Sequence, residues 1–377
     1  MRNDGKTIRL LVGAALLLCC IPAGLAHGQS GPGPIVPPAG LPPAPPPPTP
    51  QIRVQVELVS TPVTVRDRKG ELVLNLQQKD FRIFDQGVEQ AIEHFGLGGD
   101  PLSVVILLES SSRVEALLPA VRHTGVLFSQ AVMAQTGEAA VVSFDDLIEV
   151  RRALTPDGDA VEKAVANLRM GTSGTLLYDA LSKAIGILKN RPKDRRRVII
   201  VVSEADDTGS ETELGDVLRD AQSNNVAIYS VGLSNVGAKV RGGAQPSPSS
   251  PFPPGTFPAP GRPGQPQTPS AAETGQGSID YRALAIWVVK HTKHAVKGNA
   301  LEIAVAATGG SYALVYRDDS MEKAIGQIAA EVHAQYTVAY RPASSPASGF
   351  HEIKVKVARS GVSVRARPGY FVERPEK

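Results

Sequence analysis

Between residues 102 and 315 the chain repeats one pattern: a short apolar run of strand length, a polar tip, then an apolar pattern of helical period. The runs are "SVVILLE", "AAVVSF", "RRVIIVVSE", "NVAIYSVGL" and "GSYALV". Runs this apolar, with little alternation, belong to strands covered on both faces. Helical periods lie at 114–135, 157–168, 176–189, 212–223 and 299–307. Thr155-Pro156-Asp157 reads as one helix start, with a capping hydroxyl, proline in the first turn and acids near the positive end. "LIEVRRAL" follows "VVSFDD" too closely for a helical crossover, so it predicts a hairpin and one antiparallel strand. The pattern therefore predicts an α/β fold, a doubly wound and mostly parallel sheet of Rossmann-like type with helices on both faces.

The flanks follow a different rule. Residues 52–98 alternate apolar and polar, with turns at Gly70 and at Gln86-Gly87, and predict a small antiparallel β unit. Residues 334–374 alternate again in "AQYTVAYRP", "GFHEIKVKVA" and "VSVRARPGYFV". The ends of a domain often lie close together, so these tail strands are expected to join or flank the first unit. Of 31 prolines, eleven fall in 32–50 and ten in 246–269. The first tract marks residues 29–51 as a semi-rigid linker, and residues 236–278 read as a disordered Pro/Gly/Ser-rich insertion. Either tract is read as a spacer. Arg2, Lys6 and Arg9 precede the apolar run Leu10 to Ile21, and Ala26-His27-Gly28 offers small residues for cleavage. That is the form of a signal peptide over residues 1–28, with a retained membrane anchor as the alternative. It implies a secreted, periplasmic or cell-envelope protein. Both cysteines, Cys19 and Cys20, lie inside that segment, so the processed chain has no thiol for a disulfide, metal site or nucleophile.

Forty basic and 37 acidic residues give a net charge of +3. Such balance makes no electrostatic case for nucleic acid. No glycine-rich phosphate loop appears, so no nucleotide is implied. Ser111 and His123 lack the Gly-x-Ser-x-Gly setting of a hydrolase nucleophile. His291 and His294 share a helix spacing without a third ligand. The basic run Arg191 to Arg197 reads as a solvated helix exit, and the segment around Trp287 as an amphipathic helix packed on the sheet. Asp145-Asp146 is placed in the hairpin turn and Asp206-Asp207 in the crevice.

In a parallel sheet ligands bind beyond the carboxyl ends of the strands. Three polar tips gather there: Glu109 to Arg113, Thr172 to Thr175, and Ser203 to Asp207. With these loops, and with "VTVRDRKGELV", "KDFRIFDQG", "GTLLYDAL" and "VRARPGYF", the chain resembles the von Willebrand factor A domain, particularly the form found in secreted proteins of Acidobacteria. The resemblance covers residues 101–333. It implies a metal-ion-dependent adhesion site built from Asp-x-Ser-x-Ser, a threonine from a second loop and an aspartate from a third. Carried over, Glu109 stands for the first aspartate, Ser111 for the first serine, Arg113 replaces the second serine, Thr175 matches the threonine, and Glu204 replaces the last aspartate.

Magnesium wants near-octahedral oxygen ligands at roughly 2.0–2.1 Å and keeps several waters. Two longer acids crowd those waters, and a guanidinium brings five donors and no acceptor. The resemblance thus implies a degenerate site, with three arrangements open. Arg113 bridges Glu109 and Glu204 in place of the cation; or Arg113 points to solvent; or Glu109, Ser111, Thr175 and Glu204 still hold Mg2+ or Mn2+. The functional expectation is a secreted, non-enzymatic protein-binding module with no cofactor. An envelope scaffold with an inert crevice and a metal-dependent adhesion domain are the alternatives. The partner is a protein, and membrane contact arises only through an uncleaved N-terminal segment.

Overall fold

The structure, a computed structural model, describes residues 58–233, 281–290, 300–315, 318–342 and 346–373. The expected signal peptide, the proline linker, the insertion at 236–278, His291 and His294 lie outside the described residues. Four strands open the described residues: β1 (Val59–Asp67), β2 (Phe81–Asp85), β3 (Val88–Gln90) and β4 (Ile92–Leu97). The β2–β3 turn places Gln86 at φ 48° and Gly87 at φ 82°. Two successive positive φ values make the turn whose twist suits a hairpin, and glycine tolerates that conformation best.

The central sheet follows: β5 (Leu102–Glu109), β6 (Glu138–Phe144), β7 (Ile148–Thr155), β8 (Arg196–Ser203), β9 (Val226–Leu233) and β10 (Tyr312–Val315). Its spatial order is β10-β9-β8-β5-β6-β7, parallel throughout except for the β6–β7 hairpin. All eight residues of β5 are buried, because period-2 side chains feed two separate cores. Val104, Ile106 and Leu108 enter the core on one face, with α1 (Leu118–His123), α3 (Gly158–Ala166) and α8 (Asp318–His333). Val105 and Leu107 enter the other, with α4 (Leu177–Leu188), α5 (Leu214–Ser223), α6 (Tyr281–Lys290) and α7 (Ala300–Thr308). Each such aliphatic side chain contributes roughly 1.5–3 kcal/mol on full burial.

Two helical expectations change. The stretch 114–135 is not one helix: a 3₁₀ turn over Ser112–Leu117 precedes α1, the short α2 (Gly125–Leu127) follows, and a wider π turn covers Phe128–Met133. Pro119 has no N–H to donate back into a preceding turn, so it starts α1 rather than continuing a helix. The cap of α3 is Asp157, whose carboxylate accepts from Ala160 N–H at 3.1 Å, while the Thr155 hydroxyl accepts from Asp157 N–H. Helix α8 is absent from the sequence expectations, although Met321, Ile325, Ile328 and Val332 trace one buried face.

The tail forms β11 (Tyr336–Tyr340), β12 (Gly349–Val357), β13 (Val362–Ala366) and β14 (Gly369–Val372). β1 lies between β11 and β13, and β2 pairs with β12, so the first and last described strands interleave in two four-stranded sheets. Val63, Ile83, Tyr336, Tyr340 and Ile353 share their core. Glu331 of α8, 1% exposed, pairs with Arg66 at 2.9 Å and with Arg365, and takes the Thr64 hydroxyl. A buried carboxylate left without those arginines would cost several kcal/mol, so this cluster holds α8 to the β unit.

Candidate functional site

The chain leaves β5, adds β6 on one side, and then crosses back to add β8 on the other. The switch point of the sheet therefore lies between β5 and β8, where a crevice opens at the carboxyl ends. Glu109 ends β5 there and is 1% exposed. Its Oε1 accepts from the Ser111 hydroxyl at 2.5 Å, and its Oε2 accepts from the Ser203 hydroxyl at 2.7 Å and from Glu204 N–H at 2.8 Å. The carboxylate thus spans the switch point and fastens the two strand tips together. Charge-assisted bonds of this kind are roughly twice as strong as neutral ones.

The second loop is fastened just as closely. Gly171 N–H donates to Ser110 O and Ser112 N–H to Thr172 O, both at 2.8 Å. Asp145, in the β6–β7 turn as its position predicts, accepts from Leu147 N–H at 2.7 Å and Thr172 N–H at 3.1 Å. A Cβ on Gly171 would fall 1.4 Å from Asp145 Oδ2, so this loop needs glycine for contact rather than for its dihedral angles. Thr175 is fully buried; its hydroxyl donates to Asp206 O at 2.8 Å, and its N–H donates to the Thr208 hydroxyl at 2.8 Å. Asp207 accepts from Tyr178 N–H and the Ser210 hydroxyl at the start of α4.

Of the five residues expected at the site, Glu109, Ser111 and Glu204 meet through hydrogen bonds, and Thr175 joins the same loops through Asp206. A bridge from Arg113 to Glu109 and Glu204 is one of the three arrangements the sequence leaves open. Arg113 pairs with Asp206, Nη1 to Oδ2 at 2.8 Å, with side chains 35% and 59% exposed. The reason is that hydroxyls and an amide already take up the Glu109 carboxylate from the protein side, while Asp206 stands at the rim where a long side chain reaches it. The Arg113 charge also acts on Glu204, whose pKa is nevertheless raised. Burial is the main cause, followed by the negative charges of Glu109 and Asp206. Burial, then Asp207 and Asp206, pushes the Tyr178 hydroxyl up to about 12.

Sequence reasoning placed Ser203 in the third tip without giving it a role, and it missed Thr208. Both are single hydroxyls, one at the end of β8 and one in the loop after it, a residue type too common to signal a role. The third loop carries one further departure: Ala205 adopts φ 74°, the left-handed region that favours glycine.

A divalent cation at the place the resemblance implies would have to compete with bonds these residues already make. Protein donors already engage both oxygens of Glu109. The Thr175 hydroxyl is turned to a backbone carbonyl, and a guanidinium stands at the rim. Among the described residues no group of three or more His, Cys, Asp or Glu side chains is disposed to hold a metal ion. Ser111, fully buried with its hydroxyl on Glu109, faces no solvent, whereas His123 is exposed.

Among the described residues no helix is long and apolar enough to cross a membrane. No curated protein matches the chain. Solved structures similar to it include the conserved hypothetical protein BatB from Bacteroides thetaiotaomicron, at 14% identity over 61% of this chain and 98% of that one, with a TM-score of 0.37. An aerotolerance-related membrane protein from Bacteroides fragilis is 13% identical over 61% and 99%, with a TM-score of 0.38. Proximal thread matrix protein 1 from the mussel byssus is 11% identical over 66% and 51%, with a TM-score of 0.41. With the α/β sheet and its helices in place, residues 104–207 match the von Willebrand factor type A domain family.

Proposed function

We propose that the chain is a secreted or envelope protein-binding module of von Willebrand factor A type, non-enzymatic, whose adhesion site works without a divalent cation. One observation carries this reading: the Glu109 carboxylate at the sheet's switch point is held by Ser111, Ser203 and Glu204 N–H rather than open to a metal. Among the groups that face solvent at the crevice are the Arg113–Asp206 pair, Asp146, Thr172 and Ser173. A protein partner would meet ordinary polar and charged contacts there, with no cation between the two surfaces. The burial of Ser111 supports a non-enzymatic role. A scaffold with an inert crevice is the second reading, favoured by the near-complete internal pairing of the loops.

The test is thermal unfolding of the wild type and of Arg113→Ser with and without millimolar Mg2+ or Mn2+, alongside capture from envelope extract by the wild type and an Arg113→Glu variant. The proposal expects no metal response in the wild type and loss of a captured protein in the charge-reversed variant. A metal-stabilised wild type would overturn the cation-free reading. Capture that ignores Arg113→Glu would favour the scaffold.

A further inference from the structure

The amino ends of the same strands, opposite the crevice, carry a second feature. A cavity of about 550 Å³ lies between the central sheet and the β unit. Lys189, Lys193, Arg195, Arg197 and Arg367 line it, and no Asp or Glu is among its described lining residues. Three of these charges have partners, Lys193 among them. Arg195 pairs with Glu138 at 3.3 Å, and Lys189 acts on Asp220.

Arg197 and Arg367 are different. Among the described residues neither makes an ion pair with a carboxylate. Arg197 donates to Asn224 O and Arg191 O, both at 2.7 Å, and its Nε has no hydrogen-bond partner. Arg367, 6% exposed, donates to Ser60 O at 2.6 Å and more loosely to Gln222 O, and its Nε is likewise without a partner. Burial draws the Arg367 pKa down to about 10, so it stays charged at neutral pH.

A structural role alone, capping the carboxyl end of α5 through Gln222 O and Asn224 O, does not account for the pair. A helix end carries roughly half a negative charge, short of two full positive ones. Asp85, the carboxylate behind Tyr370, is engaged by the Tyr340 and Tyr370 hydroxyls at 2.8 and 3.0 Å and faces His351. Guanidinium is the group that matches carboxylate and phosphate forks. Pockets of roughly 300–1,000 Å³ enclose small organic ligands. Leu58 and Phe371 give this one an apolar wall.

We propose that this cavity binds a small organic anion, with a carboxylate or phosphate head set between Arg197 and Arg367 and an apolar body against Leu58 and Phe371. The site is independent of the crevice, so its outcome leaves the protein-binding proposal standing or falling by itself.

Calorimetry on the full chain at low salt tests it with phenyl phosphate and phenylacetate as probes and benzyl alcohol as the uncharged control. One of the two anions should bind saturably, at least tenfold more tightly than benzyl alcohol, and the stronger of them identifies the head group. Arg197→Gln, at a partly exposed position, should weaken that anion about tenfold, and Arg197→Lys less. Crystals soaked in the winning anion should show its head between the two guanidinium groups. Neither anion binding, the alcohol binding as well, Arg197→Gln leaving affinity unchanged, or density elsewhere would each overturn the assignment.

Discussion

Replacing Glu109 tests whether its carboxylate is a fastener of the crevice or a ligand in waiting. In Glu109→Ala the Ser111 and Ser203 hydroxyls and Glu204 N–H lose their acceptor together. A buried donor left unpaired costs about 1–3 kcal/mol, and hydroxyls can rotate to recover part of it. With the added void, the loss comes to about 3–5 kcal/mol. Glu109→Gln behaves differently. Its amide oxygen still accepts from Ser203 and Glu204, and its NH2 faces Ser111, whose hydroxyl turns to accept. Only charge assistance is lost, about 1 kcal/mol per bond, and relief of repulsion with Glu204 offsets some of that, leaving a cost under about 2 kcal/mol.

Urea unfolding followed by circular dichroism reads the difference. At a slope of about 3 kcal/mol/M, the midpoint falls by about 1–1.7 M for Glu109→Ala and by less than about 0.7 M for Glu109→Gln. Equal midpoints for the two variants would refute the hydrogen-bond argument, as would an alanine variant indistinguishable from wild type.

Three further outcomes follow from the same loops. Ala205→Gly should stabilise by about 1 kcal/mol, since the left-handed backbone costs roughly 1–2 kcal/mol for alanine and glycine gives back part through chain entropy; an unchanged melting temperature counts against the strain. Glu204 has a folded pKa above its unfolded one, so the folded state holds the proton more tightly and loses stability as pH rises through that window. Glu204→Gln should therefore stabilise at neutral pH, with the gain fading once both states are protonated; melting curves across pH showing a gain that grows toward acid would contradict this. Gly171→Ala should cost about 2 kcal/mol in urea unfolding, because Asp145 cannot yield to the new methyl without releasing Leu147 and Thr172 N–H; a neutral effect would show the loop to be looser than its bonding implies.

The central sheet was legible because its signal is local. From Val104 to Leu108 β5 is apolar, and the switch to a polar tip falls where the strand stops. The short gap before "LIEVRRAL" admitted only a hairpin, and β7 is antiparallel. The break in 114–135 was less visible, because Pro119 sits in a pattern whose apolar spacing continues on both sides of it. Helix α8 escaped although its buried face is regular, since Gly326 and several charges dilute the pattern.

The site was legible as a set of loops and not as a set of bonds. Topology alone brings Glu109, Thr175 and Glu204 to one edge of the sheet, and residue types alone say that an arginine is a poor stand-in for a hydroxyl ligand. Which acid Arg113 would meet depended on reach and burial: Glu109 is enclosed, whereas Asp206 stands at the rim. The cavity over Arg197 and Arg367 lay beyond sequence reasoning for the same reason. The two arginines are 170 positions apart, one at the start of β8 and the other between β13 and β14, and only the packing of the β unit on the central sheet brings both to one cavity. Periodicity records which face of an element is buried. Partners from distant elements are chosen by three-dimensional packing, where a few ångströms decide which charge is met.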